Sequence, residues 1–139
     1  MKKFLLIIIF IVFAISTKLT AQVAVIVNKS VSESDITKSK LEEIYKLSAT
    51  KWKNGDKMVV FDLKSEGATR TNFYNYIGKN PDDLKKIWMR LQLTGEGNAP
   101  KSLGSEYEVL EKVASTPGAI GFIGADKISA QVKVILTIK

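Results

Sequence analysis

The chain contains no cysteine and no histidine. Without thiols there can be no disulfide, no zinc–thiolate centre and no cysteine nucleophile. Without imidazole, every catalytic scheme built on a histidine base is excluded. Stability must therefore come from an apolar core and not from a covalent framework. Arginine is scarce as well: Arg70 and Arg90 are the only two among 21 basic residues. There is no block of like charge and no basic, aromatic-interleaved stripe. The positive excess is dispersed over lysines such as Lys38, Lys40, Lys51, Lys53, Lys85 and Lys86, a pattern that argues against nucleic acid as a partner. What remains for acid–base chemistry is carboxylates. The pair nearest a turn, Asp62 and Glu66, is spaced i, i+4 across a strand end and does not share a face, so no enzyme activity is expected.

Nor is there a hydrophobic run long enough to span a bilayer comfortably. Phe4 to Ile15 is an apolar stretch of 12 residues, preceded by Lys2 and Lys3 and followed by a polar stretch ending at Ala21; a span needs about 20. The pattern predicts a signal peptide over residues 1–21, with an uncleaved anchor as the competing reading because Leu19 is large for its position. Cleavage after Ala21 leaves 118 residues (139 less 21), enough for one compact domain over 22–139, and the protein would be exported. Losing Lys2, Lys3 and Lys18 lowers the formal charge from +7 to +4.

Within that domain, strands alternate with helices. Val23–Val27 is apolar throughout and β-branched at four of five positions, as in a strand buried on both faces. Residues 28–37 form a polar connection, and 38–47 an amphipathic helix with Leu41, Ile44, Tyr45 and Leu47 on one side. Asn54-Gly55 signals a turn into a strand over 57–63. A helix presenting Phe73, Tyr76 and Ile77 ends at Gly78. Asn80-Pro81 starts another that runs to about Leu93 and buries Leu84, Ile87, Trp88 and Leu91. Residues 94–100 read as a glycine-rich surface loop. A helix over 105–114 is expected to turn Tyr107, Leu110 and Val113 inward and Glu106, Glu108 and Glu111 outward. Strands over 119–123 and 131–138 close the chain. The order predicts an α/β fold with a mixed sheet covered by helices on both faces.

The segment from Asp62 to Phe73 carries the most chemistry. It leads from a buried strand through a glycine turn into a helix. Ser65 and Thr69 offer hydroxyls, Gly67 permits close backbone approach, and the amides near Ala68, Thr69 and Arg70 lie at the positive end of the helix dipole. A guanidinium one turn into such a helix can hold an oxyanion through two parallel hydrogen bonds. On these residues alone two readings stand: an anion site, or a capped helix with a solvated arginine.

Three ordered segments resemble the phosphate-binding proteins of bacterial ABC transporters, within the type-two periplasmic-binding-protein fold. They are Lys40-Leu-Glu-Glu-Ile-Tyr-Lys46 with Lys51-Trp-Lys-Asn-Gly55, Lys64-Ser-Glu-Gly-Ala-Thr-Arg70 with Phe73, and Thr116-Pro-Gly-Ala-Ile-Gly-Phe122. Val25 to Asn28 and Leu41 to Trp52 match the family's crossover segment and the helix after it. The similarity covers nearly all of residues 22–139. It departs in two ways: Glu66 adds a negative charge where the usual loop has small residues, and the chain has room for one lobe where the family has two. The resemblance implies a short single-lobe relative that binds phosphate or a similar tetrahedral oxyanion through Ser65, Gly67, Ala68, Thr69, Arg70 and Thr71. It implies no cofactor and no metal, a periplasmic location, and a link to an envelope transporter or sensor. Closure of the site would come from such a partner or from a copy of itself in a homodimer. The alternative is an adaptor lobe that has kept the fold and lost the ligand. Gly118 and Gly121 match backbone positions near the hinge, and Trp52 reads as packing and not as a ligand platform.

Overall fold

The computed structural model describes residues 21–139, so the expected signal peptide lies outside the described residues, Ala21 excepted. Five strands are formed: β1 (Val23–Val27), β2 (Val59–Leu63), β3 (Lys101–Leu103), β4 (Ala119–Gly124) and β5 (Lys133–Ile138). They make one sheet in the order β3-β2-β4-β1-β5. β2 runs parallel to β3 and β4, and β1 runs antiparallel to β4 and β5. The central positions of β1 and β4 explain their composition. Every residue of Val23–Val27 and of Ala119–Gly124 is buried, because helices cover both faces.

The helices are α1 (Lys38–Tyr45), α2 (Ala68–Ile77), α3 (Pro81–Leu93) and α4 (Glu106–Ser115). On one face, Phe122 of β4 stacks on Phe73 of α2 with ring centroids 3.7 Å apart, and Tyr45 of α1 meets Phe73 edge-on at 4.8 Å. α3 is tied to this layer by Trp88, whose indole N–H donates to the Tyr45 carbonyl at 2.7 Å. α4 covers the opposite face through Val109 and Val113. It comes close because Gly121 has no side chain: a Cβ there would lie 2.7 Å from Val109 Cγ1 and 3.1 Å from Val113 Cγ2. Gly118 has φ +75°, and a Cβ on it would overlap the Lys57 carbonyl oxygen. Both glycines therefore serve backbone geometry, as the resemblance implied. Trp52, 4% exposed, donates its indole N–H to the Gly118 carbonyl at 2.9 Å and belongs to the core.

Several sequence expectations need correction. α1 stops at Tyr45, because Leu47 takes a positive φ of 61° and turns the chain. In α2 the buried face is Phe73, Tyr74 and Ile77, with Tyr76 only half-buried, since the Tyr74 hydroxyl has a buried partner in Asp62. In α3 only Leu84 and Trp88 are fully buried. α4 is rotated relative to the expectation: Val109 and Val113 face the sheet, while Tyr107 is 66% exposed. Strand β3 has no apolar run to announce it; the pairing Phe61 to Lys101 and Leu63 to Leu103 creates it. Asn28, read as the start of a connection, is buried and donates its amide to the carbonyls of Val113 and Ala114 at 2.8 and 3.0 Å, closing the C-terminal end of α4.

Candidate anion-binding site

Because β2, β3 and β4 are parallel, their carboxyl ends come out at one edge of the sheet. Leu63, Leu103 and Gly124 are the last residues of these strands, and the Lys64 amide donates to the Leu103 carbonyl at 2.8 Å. Crevices outside the carboxyl ends of parallel strands are where ligands sit in open α/β sheets. The loop over 64–67 emerges at this edge and turns directly into α2.

The start of α2 differs from the other three helices. Thr37, Asn80 and Ser105 each accept a backbone N–H from the helix they open. α2 opens on Gly67, with φ 151° and no side-chain cap. The first intrahelical bond runs from the Thr71 amide to the Gly67 carbonyl at 3.0 Å. The amides of Ala68, Thr69 and Arg70 therefore have no acceptor among the described residues, and they carry the positive end of the dipole. Ser65, Glu66, Gly67, Ala68 and Thr71 are exposed; Thr69 and Arg70 are half-buried. Neither Ser65 nor Thr69 caps the helix, so the capped-helix reading does not describe this loop.

Arg70 is anchored. Its Nε donates to the Leu63 carbonyl at 2.9 Å, and its guanidinium carbon lies 5.1 Å from the centroid of the Tyr74 ring one turn along α2. The terminal guanidinium nitrogens have no acceptor among the described residues. Below it, Asp62 is 1% exposed and receives the Tyr74 hydroxyl at 2.6 Å and the Ser102 hydroxyl at 3.5 Å. Burial pushes the Asp62 carboxyl above the ordinary value, although Tyr74 and Arg70 work against that rise. Burial also raises the Tyr74 phenol, with Asp62 adding to the effect.

Glu106 is the residue that sequence reasoning missed. Expected to face outward, it turns inward at the start of α4 and receives the Gly124 N–H at 2.6 Å and the Lys127 ammonium at 3.1 Å. Burial alone would raise its carboxyl. The Thr69 hydroxyl, the Gly124 amide and Lys127 outweigh burial and hold it below the ordinary value. Thr69 thus lies beside a built-in carboxylate at the edge of the loop. The signal available in sequence was topological: β4 parallel to β2 must end beside the β2–α2 loop, and whatever binds Gly124 must border it.

No family model and no curated protein matches the chain. Solved structures do. An ABC-type phosphate transport receptor from Vibrio cholerae is 23% identical with a TM-score of 0.65, over 84% of this chain and 46% of that one. A putative phosphate ABC transporter substrate-binding protein from Clostridium perfringens, solved with bound phosphate, is 20% identical with a TM-score of 0.68, over 84% and 45%. PstS from Borrelia burgdorferi is 20% identical with a TM-score of 0.59, over 83% and 47%. The chain has the fold of one periplasmic-binding-protein lobe. It spans under half the length of each of these three structures. The mixed sheet covered on both faces agrees with the sequence expectation, and so does the single-lobe architecture of the described residues. The lobe presents the uncapped start of α2, a glycine turn and an anchored arginine at one edge.

Proposed function

We propose that this lobe is an exported, non-enzymatic solute-binding module for phosphate or a similar tetrahedral oxyanion, serving phosphate uptake or sensing. The observation that carries the reading is the uncapped start of α2, where three amides without acceptors stand beside the Arg70 guanidinium. Likeness of fold to a phosphate transport receptor and to a substrate-binding protein solved with bound phosphate supports the ligand class. The oxyanion would be held by the Ser65 hydroxyl, the amides of Ala68, Thr69 and Arg70 approached over Gly67, the Arg70 guanidinium and, at the margin, Thr71. Residues 1–21 would direct export to the periplasm and be removed. One lobe cannot enclose its ligand, and hydrogen bonds to a charged group are weaker in an open, wet site. The dissociation constant should be on the order of micromolar to millimolar. A copy of the chain, or an envelope transporter or sensor, would close the site and tighten it.

One observation favours a second reading, in which the lobe is an adaptor without a ligand. The Glu106 carboxylate and the Thr69 hydroxyl both lie against Gly124, so a ligand at Thr69 would meet an internal anion. Thermal unfolding with millimolar phosphate, sulfate and molybdate separates the two readings. A rise of several degrees with one anion, lost in Arg70→Ala, supports the binding module. No rise with any of the three anions supports the adaptor.

A further inference from the structure

Asp62 is hard to account for as a structural residue. It interrupts Val59-Val60-Phe61-Asp62-Leu63, a strand whose other members are apolar, and it is 1% exposed. A carboxylate in such a place is costly unless hydrogen-bonded and paired, and a well-packed apolar residue would serve the sheet better. The other buried polar residue among those described, Asn28, has a structural task in closing α4. Asp62 closes no helix.

Its contacts lead to the candidate site. The Tyr74 hydroxyl donates to Asp62 Oδ1, and Ser102, its register partner on β3, donates to Oδ2. The ring of Tyr74 supports the Arg70 guanidinium, and Arg70 Nε donates to the carbonyl of Leu63, the residue after Asp62. The chain Asp62–Tyr74–Arg70–Leu63 therefore closes on itself through one peptide bond. Asp62 and Arg70 form no direct ion pair, although they are the natural partners at this edge; the tyrosine hydroxyl takes the carboxylate instead.

We infer that Asp62 and Tyr74 are positioning residues that fix the Arg70 guanidinium beside the loop, leaving its terminal nitrogens free for the oxyanion. The physical reason is competition. A guanidinium prefers a carboxylate to a backbone carbonyl. If the Tyr74 hydroxyl did not occupy Asp62, Arg70 would turn to Asp62 and leave both Leu63 and the site. Holding the arginine in advance also lowers the ordering cost of binding an anion.

The inference rests on the proposed anion site only for its second readout. The first is the hydrogen exchange of the Arg70 Nε proton, followed by NMR in the protein without ligand. Tyr74→Phe keeps the ring and removes the hydroxyl, and exchange is expected to quicken about tenfold, as for loss of a hydrogen bond from a charged donor. Adding Asp62→Leu to Tyr74→Phe removes the competing carboxylate and should restore wild-type exchange, and Asp62→Asn alone, which retains an acceptor for Tyr74, should keep it. Unchanged exchange in Tyr74→Phe overturns the inference, and that variant removes one oxygen without opening a cavity, so it should fold even where Asp62→Leu does not. The second readout is phosphate affinity in a double-mutant cycle: Tyr74→Phe should weaken phosphate binding in the Arg70 background and have no effect in Arg70→Ala. Equal weakening in both backgrounds would mark Tyr74 as structural and overturn the inference. Fast exchange in Tyr74→Phe together with no phosphate binding by the wild type would overturn the anion reading while upholding the positioning of Arg70.

Discussion

Glu106 receives the N–H of Gly124 at 2.6 Å, and this bond brings a carboxylate from α4 to the rim of the β2–α2 loop. The Thr69 hydroxyl and Lys127 complete its surroundings. The loop thus already faces a negative charge of the protein's own.

Replacing that charge should help an anion. Glu106→Gln keeps an acceptor for the Gly124 amide and removes the repulsion, worth about 1 kcal/mol at the range and dielectric of a surface site. Phosphate should bind roughly fivefold more tightly in isothermal titration at low salt, with a smaller gain at high salt. Equal affinity at both salt concentrations would place the anion away from Glu106.

Serine hydroxyls at the starts of α2 and α4 should behave differently. Ser105 accepts the Glu108 amide at 3.2 Å, so Ser105→Ala should cost about 1 kcal/mol in urea unfolding. Ser65 is exposed and caps nothing, so Ser65→Ala should leave stability unchanged while weakening phosphate binding. A stability loss in Ser65→Ala similar to that in Ser105→Ala would restore the capped-helix reading.

Gly118→Ala should be strongly destabilising. The positive φ disfavours any side chain, and the added Cβ would overlap the Lys57 carbonyl and displace the Gly118 carbonyl, which accepts from both the Trp52 indole and the Val59 amide. A loss of about 1–3 kcal/mol is expected from backbone strain alone, read as a lowered urea midpoint. A variant as stable as wild type would contradict the packing described.

The fold is more legible in the sequence than the site. β1 and β4 announce themselves as uninterrupted apolar runs because both of their faces are covered. The starts of α3 and α4 follow from Asn80-Pro81 and Ser105. Strand β3 could not be read, since Lys101-Ser102-Leu103 becomes a strand only through its pairing with β2. The rotation of α4 was hidden for a related reason: both Tyr107 and Val109 fit an apolar stripe, and the gap left by Gly121 across the sheet decides which of them packs. At the site, Gly67 and Arg70 were visible as local chemistry. Glu106, Tyr74 and Asp62 join it from other elements, so their roles appear only after β2, β4 and α2 are brought together.

The pH dependence of stability should carry the mark of Asp62. Its folded-state pKa lies above the ordinary value of 3.8, so the native state binds this proton more tightly than the unfolded chain. At this site stability falls as pH rises from the ordinary carboxylate range through the folded value, and the cost is fully present above it. Asp62→Asn is free of that cost. The stability difference between Asp62→Asn and wild type, measured by urea unfolding from pH 4 to pH 8 (about the range in which shifted carboxylates titrate), should move in favour of the variant as pH rises and then level off. Parallel profiles would show that Asp62 is not shifted.

The measurement that reaches the central claim most directly is a phosphate titration of the uniformly 15N-labelled protein followed by amide chemical shifts. The account expects saturable shifts, largest at Gly67, Ala68, Thr69 and Arg70, with a midpoint in the micromolar to millimolar range. Amides that shift without saturating, or that shift most at another part of the sheet, would contradict the placement of an oxyanion at the start of α2.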